Sequence, residues 1–302
     1  MWFWFSLIAL VCWSGSDLFS KIGCQDADDK YSHLKMVMAV GLVMGLHAAY
    51  EIFIGGTEIN GIIILTYLPV SLLYISSMTI GYIGLRYIEL SISSPICNSS
   101  GALVAVLALA TGGLGELVPA QLAATALVCV GVIGLGIVEA REDDDLRAAR
   151  QQASNHRYAK SALALILPII YCLLDALGTF ADSRVLETLD EDSANCAYEL
   201  TFLLAAIVCF VYVVLIKKSK LLPKREAPKY AGALCETAGQ FAYIYALADT
   251  EHVALAAPII SAYCVASVLW SRIFLKEKLS WKHYGMIALV VAGIVILGIY
   301  DA

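Results

Sequence analysis

The chain alternates long apolar stretches with short polar connections, and its positive charges fall in every second connection. All but one of its 20 Lys and Arg residues can be placed on one side of a membrane if the chain crosses ten times; the exception is Arg184. Lys and Arg resist translocation, so this sorting constrains both the number of crossings and their direction. A hydrocarbon core about 30 Å thick takes about 20 apolar residues per helix. Ten such segments are expected near residues 2–23, 32–54, 61–85, 92–113, 120–139, 161–182, 194–216, 229–248, 253–274 and 282–300. They leave almost nothing for a soluble domain. Only 15% of the residues are charged, where a soluble domain carries about a quarter.

With the N-terminus outside, the inner connections collect Lys21, Lys30 and Lys35, then Arg86, then Arg141 to Lys160, then Lys217 to Lys229, and finally Arg272 to Lys282. The outer ones are acidic, as in Glu187, Asp190, Glu191 and Asp192. The expected setting is a plasma membrane of bacterial type, with the central loop cytoplasmic and both termini outside. The net charge of −6 therefore says little about partners, because the signs are segregated by side. No basic patch with interleaved aromatics suggests nucleic acid, and the basic stretch 217–229 reads as a topology signal near anionic lipid heads. Most of the nine cysteines sit in apolar segments without a CxxC pair, as buried free thiols do. Trp2-Phe3-Trp4-Phe5 follows no basic stretch, so it reads as an interfacial anchor rather than part of a cleaved signal.

The longest polar connection divides the chain into five plus five segments. An odd number per half makes the second half enter the membrane upside down relative to the first. Asp17 then corresponds to Asp175, Tyr82 to Tyr245, Pro95 to Pro258 and Glu116 to Glu277, in order and at near-constant spacing. The expected fold is all-α and integral to the membrane: ten transmembrane helices as two inverted five-helix repeats, 1–140 and 161–302, joined by a polar loop at 141–160. Inverted repeats build a binding site at their interface near mid-membrane.

Ala256-Ala257-Pro258 opens an apolar helix that ends in Leu275-Lys276-Glu277-Lys278-Leu279-Ser280, and a helix with Gly285, Gly293 and Gly298 follows. The first half has a weaker copy, from Ser93-Ser94-Pro95 through Gly115-Glu116-Leu117 to Gly131 and Gly134. This pattern resembles the EamA repeat of the drug/metabolite transporter superfamily. The resemblance implies a ten-helix transporter with a central cavity shared by both halves. Many members have cytoplasmic ends, whereas the charges here put both ends outside.

Carboxylates inside a bilayer face a cavity or a partner, because lipid excludes them. Asp17 and Asp175 occupy matching places and are expected at the shared interface, as a substrate-ammonium site or as proton carriers. The alternative is an interhelical tie, with Asp17 reaching Ser or Thr side chains or Lys21. Glu236, Gln240 and Tyr243 share one helical face, which lines either a cavity or a polar seam; Tyr245 lies beyond them. The third segment offers Tyr74, Ser77, Met78 and Tyr82 at matching places. In the fourth, Pro95 removes a backbone donor, so freed carbonyls and Asn98 are available to a ligand, or its Ser residues simply cap and pack. Tyr263 stands in the ninth. His47 and Glu51 are four apart and able to share a proton. Trp13, Tyr171, Tyr263 and Trp270 are candidates for an aromatic cage. Gly41, Gly45, Gly131 and Gly134 read as helix-packing positions.

The substrate-binding set expected from sequence is therefore Asp17, Asp175, Glu236, Gln240, Tyr82, Tyr245, Asn98 and Tyr263. No HExxH pattern or Walker motif occurs, so neither a metal nor a cofactor is expected, and the chain carries no site for ATP hydrolysis. The function expected is secondary transport of a small polar, cationic or zwitterionic metabolite, with coupled protons or a counter-substrate and the bilayer as partners. A flippase for a lipid-linked carrier and an intramembrane enzyme built on the Ser-rich fourth segment and His47 are the alternatives.

Overall fold

The computed structural model describes residues 1–26, 28–88, 90–113, 118–141, 166–275 and 279–301. Among the described residues every regular element is a helix. An apolar run in lipid has no water to satisfy its backbone, so it closes its own hydrogen bonds as a helix.

In chain order these are α1 (Trp2–Cys24), α2 (Ser32–Tyr50), α3 (Gly61–Tyr87), α4 (Leu90–Cys97), α5 (Ser100–Ala108), α6 (Pro119–Ala140), α7 (Ile166–Val185), α8 (Glu191–Phe210), α9 (Pro223–Leu247), α10 (Val253–Ser261), α11 (Tyr263–Phe274) and α12 (Trp281–Asp301). Wider turns prolong α2 to Gly55, α5 to Gly113 and α8 to Ile216. Gly56 stops α2 in the left-handed region at φ 81°, which glycine adopts without a Cβ penalty. Asn60 caps α3 by accepting from the N–H groups of Ile62 and Ile63, and Asp190 caps α8 by accepting from Ser193 N–H.

Eight stretches among the described residues are long and apolar enough to cross a membrane. Outside that set is α9, whose first turns carry Lys224, Arg225, Glu226 and Lys229 and whose middle carries Glu236 and Gln240. Two of the eight are interrupted. The fourth expected segment breaks between Cys97 and Ser100, and the ninth at Ala262, each a few residues beyond its proline. Asn98 Nδ2 donates to the Ser94 carbonyl and Ser99 Oγ to the Pro95 carbonyl. Ala262 N–H reaches the carbonyls of both Pro258 and Ile259. Both interruptions are thus tightened turns with most of their backbone satisfied.

Helices pack in pairs: α1 on α9, α3 on α7, α2 on α8, α6 on α12, α4 on α11 and α5 on α10. The glycines act as their spacing suggested. Gly41 lies against Phe202 and Ala206, Gly45 against Leu203, and Gly131 and Gly134 against Met286 and Val290. A side chain at any of these positions would push two helices apart.

The bundle has two different ends. At one, Lys21, Asp29, Lys35, Arg86, Lys220, Glu226 and Lys229 meet. Lys35 is 2.9 Å from Asp29 and 3.4 Å from Glu226, and it donates to the Lys220 carbonyl. Lys229 is 2.9 Å from Glu226. Lys21, only 1% exposed, gives its ammonium to the carbonyls of Leu85 and Ile88 at 2.8 Å each. At the other end, Arg184 bonds Glu187 and Thr111, and Ser193 bonds the Glu58 carbonyl. Arg184 is therefore separated in space from the cationic end, as it is in the charge pattern. The N-terminal aromatics depart from expectation. Trp2 and Phe3 are buried, with Trp2 stacked on His252, and Trp4 is the exposed one.

The nine cysteines are all free. Glu116, Glu277 and most of the central loop lie outside the described residues.

Candidate substrate cavity

A cavity enclosing about 920 Å³, mouth included, lies between α1, α3, α4, α5, α7, α9 and the α10–α11 break, with Tyr198 of α8 on its wall. Each polar side chain arrives there by helical periodicity. Trp13, Ser16, Asp17 and Ser20 form one face of α1; Tyr171, Asp175 and Thr179 one face of α7; Glu236, Gln240 and Tyr243 one face of α9. The steps of three and four match one stripe of a 3.6-residue turn. The α4–α5 break adds Ser93, Ser94, Cys97 and Asn98, and the α10–α11 break adds Ser261 and Tyr263.

Three carboxylates face this space, and hydroxyls hold all three. Asp17 accepts from Ser94 Oγ and, at 2.8 Å, from Ser267 Oγ. Asp175 accepts from Ser100 Oγ at 2.7 Å, and Glu236 from Ser16 Oγ at 2.6 Å. Among the described residues no Lys, Arg or His belongs to the wall. Lys21, one turn from Asp17, turns instead to backbone carbonyls. The wall also holds buried polar atoms without a protein partner: Trp13 Nε1, Ser20 Oγ, Tyr82 Oη and Gln240 Nε2. Leaving such an atom unbonded costs about 1–3 kcal/mol, so each is available to a polar solute.

Aromatic rings line the same space. Trp13 lies against Gly239, where any Cβ would overlap the indole, and Tyr171 against Gly81. Trp13 is 4.9 Å from Tyr243 and 5.8 Å from Tyr263 between ring centroids. Trp270, also a cage candidate, is off the wall, with its indole N–H donating to Ser14 Oγ at 3.1 Å.

Seven of the eight residues expected at the site are on the wall: Asp17, Asp175, Glu236, Gln240, Tyr82, Asn98 and Tyr263. Tyr245 is the correction. It faces away from the cavity, donates to Asp192 and stacks on Phe5. His47 is also elsewhere, its Nδ1 2.9 Å from Glu199 and its Nε2 3.8 Å from Glu51. It does not share the wall with Ser93 and Ser94.

Wall residues that sequence reasoning did not select include Ser16, Ser20, Thr179 and Ser261. Each lies three or four residues from one already noted, Trp13, Asp17, Asp175 or Pro258, and helical spacing was their only signal. Asp182, seven residues past Asp175, was also missed. It lies behind the wall, fully buried, accepting from Tyr67 at 2.7 Å and Tyr74 at 3.2 Å.

Residues 162–299 match the EamA-like transporter family. The matched segment contributes α7, α9, α10 and α11 and Tyr198 of α8 to the cavity, and with them Asp175, Glu236 and Tyr263. The match, with the apolar helices, supports a membrane transporter of the drug/metabolite transporter superfamily. A solved structure described as "Crystal structure of protein" superposes with a TM-score of 0.64 at 13% identity, covering 98% of this chain and 96% of the other. At that identity the likeness concerns the fold alone. No curated protein matches the chain in sequence.

Proposed function

We propose that the protein is a secondary transporter that carries a small cationic or zwitterionic organic metabolite by alternating access around this cavity. One observation carries the reading: three carboxylates converge on one space whose wall, among the described residues, holds no basic side chain. Uncompensated negative charge beside apolar helices favours a cation. An ammonium would meet Asp17, Asp175 and Glu236, with the rings of Trp13 and Tyr263 contributing cation–π attraction. Gln240, Asn98 and Tyr82 supply neutral polar contacts for the rest of the solute. A phosphate or sugar phosphate would find repulsion.

Ten crossings in two inverted halves give this cavity its moving parts, with α9 and α12 as the eighth and tenth crossings. The packing supports that arrangement. Exchanging α1 with α7, α2 with α8, α3 with α9, α4–α5 with α10–α11 and α6 with α12 turns the α1–α9 contact into α7–α3. The same exchange turns α2–α9 into α8–α3, and α1 on α10–α11 into α7 on α4–α5; all these contacts occur. Trp13 stands four residues before Asp17, as Tyr171 does before Asp175. The lysine-rich end would face the cytoplasm, and the repeats span 1–140 and 161–302.

The test is uptake by purified protein in liposomes, using a panel of labelled amines and amino acids with and without a pH gradient. Saturable uptake of a cationic or zwitterionic solute is expected. Uptake confined to anions, or transfer of a lipid-linked saccharide with no soluble solute moved, would overturn the reading.

A further inference from the structure

We propose that Asp182 is a proton-binding site distinct from the three cavity carboxylates, reached from the cavity along the hydroxyls of Thr179, Tyr243 and Tyr74. The use made of the proton rests on the transport reading; the site itself does not. Asp182 is 0% exposed and off the cavity wall. Tyr67 donates to one of its oxygens and Tyr74 to the other. Tyr74 is in hydrogen-bond contact with Tyr243 and 3.3 Å from Thr179 Oγ1, and Tyr243 donates to Thr179 Oγ1 at 3.0 Å. Tyr74, Tyr243 and Thr179 are all on the wall. A chain of hydroxyls thus joins the cavity to a carboxyl that no solute touches.

Among the described residues the surroundings of Asp182 contain no cation. Tyr67 and Tyr74 face it from α3, Tyr243 lies across from α9, and Tyr198 stands nearby on α8. On its own helix, Arg184 turns outward to Glu187 and Thr111, and Asp175 bonds Ser100. Hydroxyl donors offset only part of the cost of an ion removed from water. A proton offsets the rest without a counter-ion.

The transfer balances. With Asp182 ionised, Tyr74 donates to it, Thr179 donates to Tyr74 and Tyr243 donates to Thr179. A proton from the cavity passes to Tyr243 as Tyr243 gives its own to Thr179, Thr179 gives its own to Tyr74 and Tyr74 gives its own to Asp182. Every hydroxyl keeps one proton, the bonds reverse sense, and the carboxylic acid now donates to Tyr74. Running the chain backwards releases the proton. Exchange of this proton for a substrate cation would move no net charge.

Two measurements on the full chain in lipid vesicles test this. In an infrared pH titration, the protonated-carboxyl band of the wild type should lose one component in Asp182→Asn, a component that persists in Asp17→Asn. Tyr67→Phe, which removes one donor to the ionised form, should shift the pH at which that component appears. In transport, a gradient of one pH unit should concentrate a carried amine about tenfold by one-for-one exchange. Asp182→Asn should lose this accumulation yet still exchange internal for external substrate. An unchanged band or unchanged accumulation in Asp182→Asn overturns the proposal. Should that variant not fold, an unshifted component in Tyr67→Phe does so. If the wild type carries no amine while the band behaves as expected, the proton site stands and the transport reading falls.

Discussion

Two sets of acids lie inside this bundle, one buried and one lining the cavity, and they are treated in opposite ways. At the lysine-rich end, Asp29 and Glu226 are buried against Lys35 and Lys229, and each acid has an ammonium about 3 Å away. In the cavity, Asp17, Asp175 and Glu236 have serine hydroxyls and nothing positive. A buried charge with its counter-ion is complete, and losing the partner is what costs stability. A half-buried charge with hydroxyls alone is held in position but not neutralised. The first set ties together the α1–α2 connection, α2 and α9. The second is left for something that comes and goes.

The comparison can be broken most directly at the paired end. Lys35→Met leaves Asp29 without its ammonium and should cost about 3–5 kcal/mol of stability, the usual result of breaking a buried pair. Unfolding of the protein in mild detergent measures it; stability within about 1 kcal/mol of wild type would mean the pairs are not structural. Asp17→Asn should do the reverse. Removing a carboxylate that pairs with a bound ammonium costs about 2 kcal/mol or more of binding, about thirtyfold in the concentration giving half-maximal uptake, with unfolding little changed. Equal substrate affinity in the variant would take Asp17 out of the site.

A smaller effect is expected from Ser267→Ala, which removes one of the two hydroxyls on Asp17. A net hydrogen bond to a charged group is worth about 1.5–3 kcal/mol, but Ser94 remains, so roughly a fivefold loss of affinity is expected. A loss as large as that of Asp17→Asn would show that Ser267 itself touches the solute. The smallest belongs to Arg184→Ala. Its pair with Glu187 is exposed on both sides, and such pairs contribute under about 1 kcal/mol. A large loss of stability there would mean that the end away from the lysines depends on ionic ties after all.

Much of the architecture was legible before any coordinates. Helix positions follow from local composition because a bilayer admits a long apolar run in few ways. Segment boundaries mostly fell within a few residues of the observed helices; the eighth, α9, starts earlier at Pro223, because its polar first turn carries no apolar signal. Tyr245 was chosen because repeat matching set it beside Tyr82. Yet it stands two residues from Tyr243, about 200° around the helix, so it cannot share that wall. Asp182 was invisible for another reason. It stood at the expected end of its segment, where an acid is ordinary, and only the longer α7 and the tyrosines of α3 and α9 make it buried.

The amino-acid order alone determined where the chain is helical and which ends collect cations, because both depend on what each residue does in water or lipid by itself. It also named most of the acids at issue. Which acids would find an ammonium and which only a hydroxyl was decided by the packing of α1, α3, α7 and α9. Asp29 and Asp17 are chemically the same group, and the difference between a structural tie and an open site lies in what other helices bring within 3 Å.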